Sequence, residues 1–236
     1  MHSFVLIHGG HQGSWFWERV EPLLDRPSLA VDLPGRGRHP ADLAEVGIRR
    51  AVESVLGDIE EAGFDRVVLA GNSIASVTMA GVAGALGDRV DGLVFFGTPI
   101  ALEGQTVMEC FPDEVKQLAA QRLRTDGGST TTSDEHRRLM NCNDMDEEQT
   151  CFALERACAD SHRFFTEPIS WKGLSPDVPL VYARLLLDNA LRTHIQDHMI
   201  GNLHQVGDHV EVIDVEAGHC PMVSNPAAVA AVLNAR

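Results

Sequence analysis

Lysine is nearly absent from this sequence: Lys116 and Lys172 are the only two among 236 residues. Basic residues are scarce as a class, 19 against 34 acidic ones, and the formal net charge is −15. So acidic a chain repels phosphate backbones and anionic lipid surfaces, which excludes nucleic acid and membrane as partners. An anionic substrate would also be repelled unless a local basic pocket received it. Long hydrophobic runs are missing. The longest weakly polar stretch, 74–87, is interrupted by Ser76, Thr78 and three glycines, and is too short to cross a bilayer. No secretory leader is expected, because Met1 runs into Phe4-Val5-Leu6-Ile7 with no basic start and no small-residue cleavage site. The five cysteines (Cys110, Cys142, Cys151, Cys158, Cys220) are odd in number and contain no Cys-x-x-Cys. A reduced, cytoplasmic protein fits better than a disulfide framework or a zinc ribbon. Nor is there a Gly-rich phosphate loop: Gly81, Gly84 and Gly87 fall inside or at the end of a predicted helix.

Hydrophobic residues make up 44% and charged residues 22%, so the chain is globular. Strand-like and helix-like segments alternate along it. Strands are predicted at 4–8, 29–32, 66–70, 90–96, 178–187 and 209–214, with helices at 14–24, 41–62 and 74–86 and from Pro226 to Ala235. Continuous Val/Leu/Ile runs point to a mostly parallel sheet with helices on both faces, an α/β class. All strand carboxyl ends then share one edge, where ligands bind in such sheets. Residues 100–170 break the rhythm, with no convincing strand and a polar linker at 125–133. We read them as a helical cap inserted between the fourth and fifth strands of a single domain, 1–236.

Gly71-Asn72-Ser73-Ile74-Ala75-Ser76 lies between the third strand and the following helix. A serine in a sharp strand-to-helix turn presents its hydroxyl at the top of the sheet. The free amides and positive dipole end of the helix face any oxyanion that develops there. An ordinary loop with a serine N-cap is the alternative. A nucleophilic serine needs a base that is itself oriented. His219, in the loop after the last strand, is the candidate base. Asp188, after the fifth strand, is the candidate acid, with Glu103 as its rival and Asp197 and Asp208 less well placed. The order Ser73, Asp188, His219 suits this architecture. Amides of Gly10, in His8-Gly9-Gly10, and of Ile74 would form the oxyanion hole, with His8 bracing the loop.

Together these pieces resemble the α/β-hydrolase superfamily over nearly the whole chain. The small members, plant methylesterases and hydroxynitrile lyases with their bacterial relatives, look closest. The run from His8 to Trp17 is similar to that group's HG-x-x-x-G-x-W-x-W opening. Val31-Asp32-Leu33-Pro34-Gly35-Arg36-Gly37 resembles its D-x-P-G-x-G loop, and 218–226 its histidine loop. The resemblance implies nucleophile Ser73, base His219, acid Asp188, oxyanion amides at Gly10 and Ile74, and no cofactor. Asn72 departs from the usual His, and Ala75-Ser76 from Gly-Gly. Lyases of this group carry a lysine where Cys220 stands and a threonine where Gly10 stands.

The expected activity is hydrolysis of a small carboxylic ester through an acyl-enzyme. The alternatives are a lyase or cyclising enzyme reusing the triad, or a ligand-binding relative. The partner is a small molecule, and a homodimer is left open. His194 and His198 are four apart on a predicted helix but have no obvious third metal ligand. The acidic run 143–148 reads as a helix N-cap with a negative first turn rather than a calcium loop.

Overall fold

The computed structural model describes residues 2–113, 115–117 and 124–236, with only the backbone of Arg124 and Thr125. Among these residues nine strands form: β1 (Ser3–Ile7), β2 (Ser28–Ala30), β3 (Val67–Asn72), β4 (Val90–Phe96), β5 (Arg124–Asp126), β6 (Ser129–Thr131), β7 (Asp160–Ser161), β8 (Leu180–Leu185) and β9 (Val210–Val215). Six of them make one parallel sheet in the order β2-β1-β3-β4-β8-β9. The six strands expected from the sequence are these six, each displaced by two residues or fewer at its start.

Alternation along each strand sends side chains into two separate cores. Val5 and Ile7 of β1, Leu69 of β3, Phe95 of β4 and Tyr182 of β8 pack on one face. Phe4, Leu6, Ala70, Phe96 and Ala183 pack on the other. Both faces are therefore covered, as the unbroken apolar runs require. Helix α1 (Ile48–Glu61) buries Ile48, Ala51, Val55 and Ile59, a helical stripe of three- and four-residue steps. Helix α2 (Ser76–Leu86) is buried nearly all round and lies against α1. A methyl group at Gly81 would stand 2.6 Å from Val52 Cγ2, so glycine sets that approach.

Three expectations change. Residues 14–24 form two short 3-10 turns, Ser14–Trp17 and Glu21–Leu23, in place of a continuous helix. The 41–62 helix begins only at Ile48, after a 3-10 turn at Leu43–Glu45. The 100–170 segment does contain strands. Its polar linker folds into the antiparallel pair β5 and β6, joined by β7. Gly127 and Gly128, at φ +53° and +87°, turn that hairpin. Short Thr/Ser strands lack the apolar signature by which strands are recognised. Helices at Asp134–Asn141, Glu147–Glu155 and Arg163–Thr166 follow, residues 113 and 115–117 are also helical, and residues 114 and 118–123 of that segment lie outside the described part.

No helix among the described residues is long and apolar enough to cross a membrane. The strand order reverses direction between β1 and β3. The loop at Gly9-Gly10 and the turn at Ser73 leave the sheet from these two neighbours, at the crevice where open α/β sheets bind ligands.

Candidate active site

Ser73 sits at the turn between β3 and α2 with φ +52°, a left-handed conformation rare outside glycine. Gly71 makes the turn feasible. A Cβ there would lie 2.5 Å from Met79 Sδ and 2.7 Å from Ala75 Cβ. The methyl of Ala75 occupies the space that Gly71 leaves open. On the facing loop, a Cβ on Gly9 would lie 3.1 Å from Ser73 Cβ, so that loop also depends on a bare backbone.

His219 and Asp188 meet. His219 Nδ1 donates to Asp188 Oδ2 at 2.7 Å, with both side chains buried. The other carboxylate oxygen accepts the amides of Ala190 at 2.7 Å and Leu191 at 2.8 Å. Three hydrogen bonds thus hold the Asp188 carboxylate in place. Gly97, at φ +53°, keeps space beside it, since a Cβ there would come within 3.1 Å of Asp188 Oδ2. The rival Glu103 is elsewhere engaged, accepting from Ser170 Oγ at 3.0 Å and the Trp171 amide at 2.7 Å. Asp197 pairs with Arg184 at 2.7 Å.

Asn72, the departure from the usual histidine, has a visible task. Its Nδ2 donates to the carbonyls of Phe96 and His219, each at 2.9 Å, and so ties the nucleophile turn to the histidine loop.

On the facing loop, the amides on either side of Gly10 are occupied. Gly9 N–H donates to Gln12 Oε1 at 2.8 Å, and His11 N–H to Asp160 Oδ2 at 3.0 Å. Among the described residues the Gly10 amide donates to no protein acceptor. A Cβ on Gly10 would be 3.5 Å from Ile74 Cγ2, so the two expected oxyanion donors belong to adjoining residues. His11 itself adopts φ +64°.

A buried ion pair fixes this loop. Arg36 Nη2 meets Asp160 Oδ1 at 2.7 Å, and Arg36 Nη1 donates to the Gln12 carbonyl at 2.5 Å. Burial alone would raise the Asp160 carboxyl, but Arg36 and the His11 amide hold it below the usual range. His8 braces the loop: Nδ1 donates to the Gly9 carbonyl at 2.7 Å, while Nε2 accepts the Leu33 amide at 3.2 Å. Burial, reinforced by Arg36, pushes its pKa down to about 4, which keeps it neutral.

Burial raises the Cys220 thiol far above its ordinary value, so the position after His219 carries no charge. Lys172 is 85% exposed beside Glu103, and Lys116 pairs with Asp113. The cation that does approach is Arg137, which lines a cavity with Gly10 and Cys220. The sequence gives no sign of this, since Arg137 lies in a charged surface-type helix. Asp144 was also unforeseen. It accepts the Gly218 amide at 2.5 Å and the Ser224 hydroxyl at 2.7 Å. The N-cap of the next helix is Asp146, in a capping box with Gln149, as the acidic run suggested. His198 Nε2 is engaged with the Cys110 carbonyl at 3.1 Å.

The model of the alpha/beta hydrolase family matches residues 4–232. A carbendazim-hydrolysing esterase of Nocardioides sp. (strain SG-4G) is 28% identical over 145 residues, which cover 59% of this chain and 59% of the esterase. Methylesterase 17 of Arabidopsis thaliana is 25% identical over 244 residues, covering 94% of this chain and 87% of its own. Among solved structures, an extracellular alpha/beta-hydrolase from a Paenibacillus species superposes with a TM-score of 0.84 at 21% identity, covering 99% and 98% of the two chains. A pyrethroid hydrolase from Sphingobium faniae JZ-2 gives 0.81 at 22% identity, covering 98% and 95%. These two likenesses speak to the fold. The match along 4–232 and the parallel sheet agree, and the chain belongs to the alpha/beta hydrolase family.

Proposed function

We propose that this chain is a serine esterase acting on small carboxylic esters through an acyl-enzyme. The observation that carries the reading is the buried Asp188–His219 hydrogen bond, with the turn that holds Ser73 at positive φ tied to the histidine loop through Asn72. Nδ1 of His219 is committed to Asp188, so Nε2 is the nitrogen left to accept a proton. Ser73 Oγ attacks the ester carbonyl and passes its proton to Nε2. Asp188 keeps the ring in that tautomer and stabilises the imidazolium. The carbonyl oxygen becomes an oxyanion held by the Gly10 and Ile74 amides, each worth roughly 3–4 kcal/mol in the transition state. Nε2 returns the proton to the leaving alcohol. Water activated by the same nitrogen then releases the acid and regenerates Ser73.

Similarity to a methylesterase and to a carbendazim-hydrolysing esterase supports ester cleavage. The segment 100–170 acts as the cap that shapes the substrate. Five unpaired cysteines support a reducing compartment. Reaction with a fluorophosphonate followed by peptide mapping tests the reading. Labelling at Ser73, with loss of p-nitrophenyl acetate hydrolysis in Ser73→Ala, is expected. Labelling at another serine, or full activity in the variant, rejects it.

A further inference from the structure

A cavity of about 50 Å³ is bounded by Gly10 and Cys220 at one side and by Arg137 and Asn141 of the Asp134–Asn141 helix at the other. Phe16 and Leu154 supply apolar wall. Gly10 carries the unused amide, and Cys220 follows His219. Ser73, Ile74 and His219 are not among the residues that line it; the cavity shares Gly10 with the proposed oxyanion hole and ends at a guanidinium.

That guanidinium is only partly answered. Arg137 Nη1 meets Asp134 Oδ1 at 3.1 Å, a carboxylate that is itself 69% exposed. Arg137 Nε is buried and has no acceptor among the described residues. A buried N–H without a partner is costly, so the guanidinium as a whole is short of acceptors. Other charges near the cavity are silenced. Cys220 stays a neutral thiol, and His11 in the wall is pushed below its ordinary pKa by burial, with Asp160 opposing and Arg137 assisting. Asp160, near Gly10, is neutralised by Arg36. Among the described residues no Asp or Glu lines the cavity. In a chain of net charge −15, this is a local basic recess next to the chemistry.

We infer that the cavity receives a carboxylate carried by the substrate, so that the preferred esters bear a second, ionised carboxyl group. The inference rests on the esterase reading above. A planar guanidinium matches a carboxylate in geometry and in charge. The cavity is large enough to admit a small polar group. The carboxylate can belong to the acid part of the ester or to the alcohol part.

The test compares kcat/KM for charged and neutral members of matched pairs. Monomethyl succinate against dimethyl succinate probes the acid side. O-acetylglycolate against its methyl ester probes the alcohol side. Wild type is expected to prefer the charged member in at least one pair, against the repulsion of the whole chain. Arg137→Gln is expected to lower that preference about tenfold to a hundredfold, the range of a charge-assisted hydrogen bond. Arg137→Lys should retain part of it. Circular dichroism checks that the variants fold, and the wild-type ratios decide even if they do not. No preference in either pair, or a preference that survives Arg137→Gln in a folded protein, overturns the inference. Absence of Ser73-dependent p-nitrophenyl acetate hydrolysis would instead sink the esterase reading itself.

Discussion

Asp144 Oδ2 accepts the Gly218 amide at 2.5 Å, one residue before His219. Its neighbour Asn143 donates from Nδ2 to the Leu187 carbonyl at 2.8 Å, one residue before Asp188. Two consecutive residues between β4 and β8 thus clip the acid-bearing loop to the base-bearing loop. Asp144→Ala should lower kcat about tenfold to a hundredfold by loosening the imidazole, as small misplacements do. Asp144→Asn, which keeps an acceptor oxygen, should recover part of the loss. Steady-state kinetics with p-nitrophenyl acetate checks both. A kcat that does not move in Asp144→Ala shows the clip to be dispensable.

The candidate acid Asp188 and its rival Glu103 should behave differently. Asp188→Asn removes the charge that faces the imidazole and is expected to lower kcat by up to ~10⁴-fold. Glu103→Gln, whose carboxylate serves Ser170 and Trp171, should leave kcat within about twofold, as for a surface substitution away from the chemistry. Reversal of the two effects would move the acid to the end of β4.

Stability should depend on pH through His8. Its pKa falls from 6.5 to about 4 on folding. Between those values the unfolded chain binds a proton that the folded chain does not. Stability is therefore full above pH 6.5, declines as pH falls toward 4, and loses up to about 3 kcal/mol from this residue. Below that window Asp32 and Asp160, both held below the usual carboxyl range, add a further loss as they are protonated. Urea unfolding at pH 7.5 and 4.5 reads the decline. His8→Asn should flatten it by more than about 1 kcal/mol, and an unchanged slope would remove His8 as its source.

Cyanohydrin cleavage is not expected. The position after His219 is a buried thiol with a raised pKa, and Gly10 has no side chain to hold a substrate hydroxyl. Mandelonitrile should release no cyanide above background. Release that Ser73→Ala abolishes, with no esterase activity alongside, would favour the lyase chemistry.

Much of this arrangement was legible in the sequence because it is local. The parallel sheet follows from unbroken apolar runs, and Ser73, Asp188 and His219 each follow a strand-like segment in the required order. Contacts that join distant segments were not legible. Nothing local marks Arg36 as the partner of Asp160, Asn143 and Asp144 as a clip, or Arg137 as a cavity wall. The β5–β6 hairpin was hidden for another reason. Its threonines and serines satisfy a backbone ladder without presenting an apolar face, so periodicity had nothing to report.

The φ of +52° at Ser73 sets endurance against chemistry at a single backbone position. An L-residue held there costs about 1–2 kcal/mol, which glycine would recover. A selection that rewards heat resistance without assaying turnover should therefore favour Ser73→Gly. It would return a hardier protein without the hydroxyl proposed as the nucleophile.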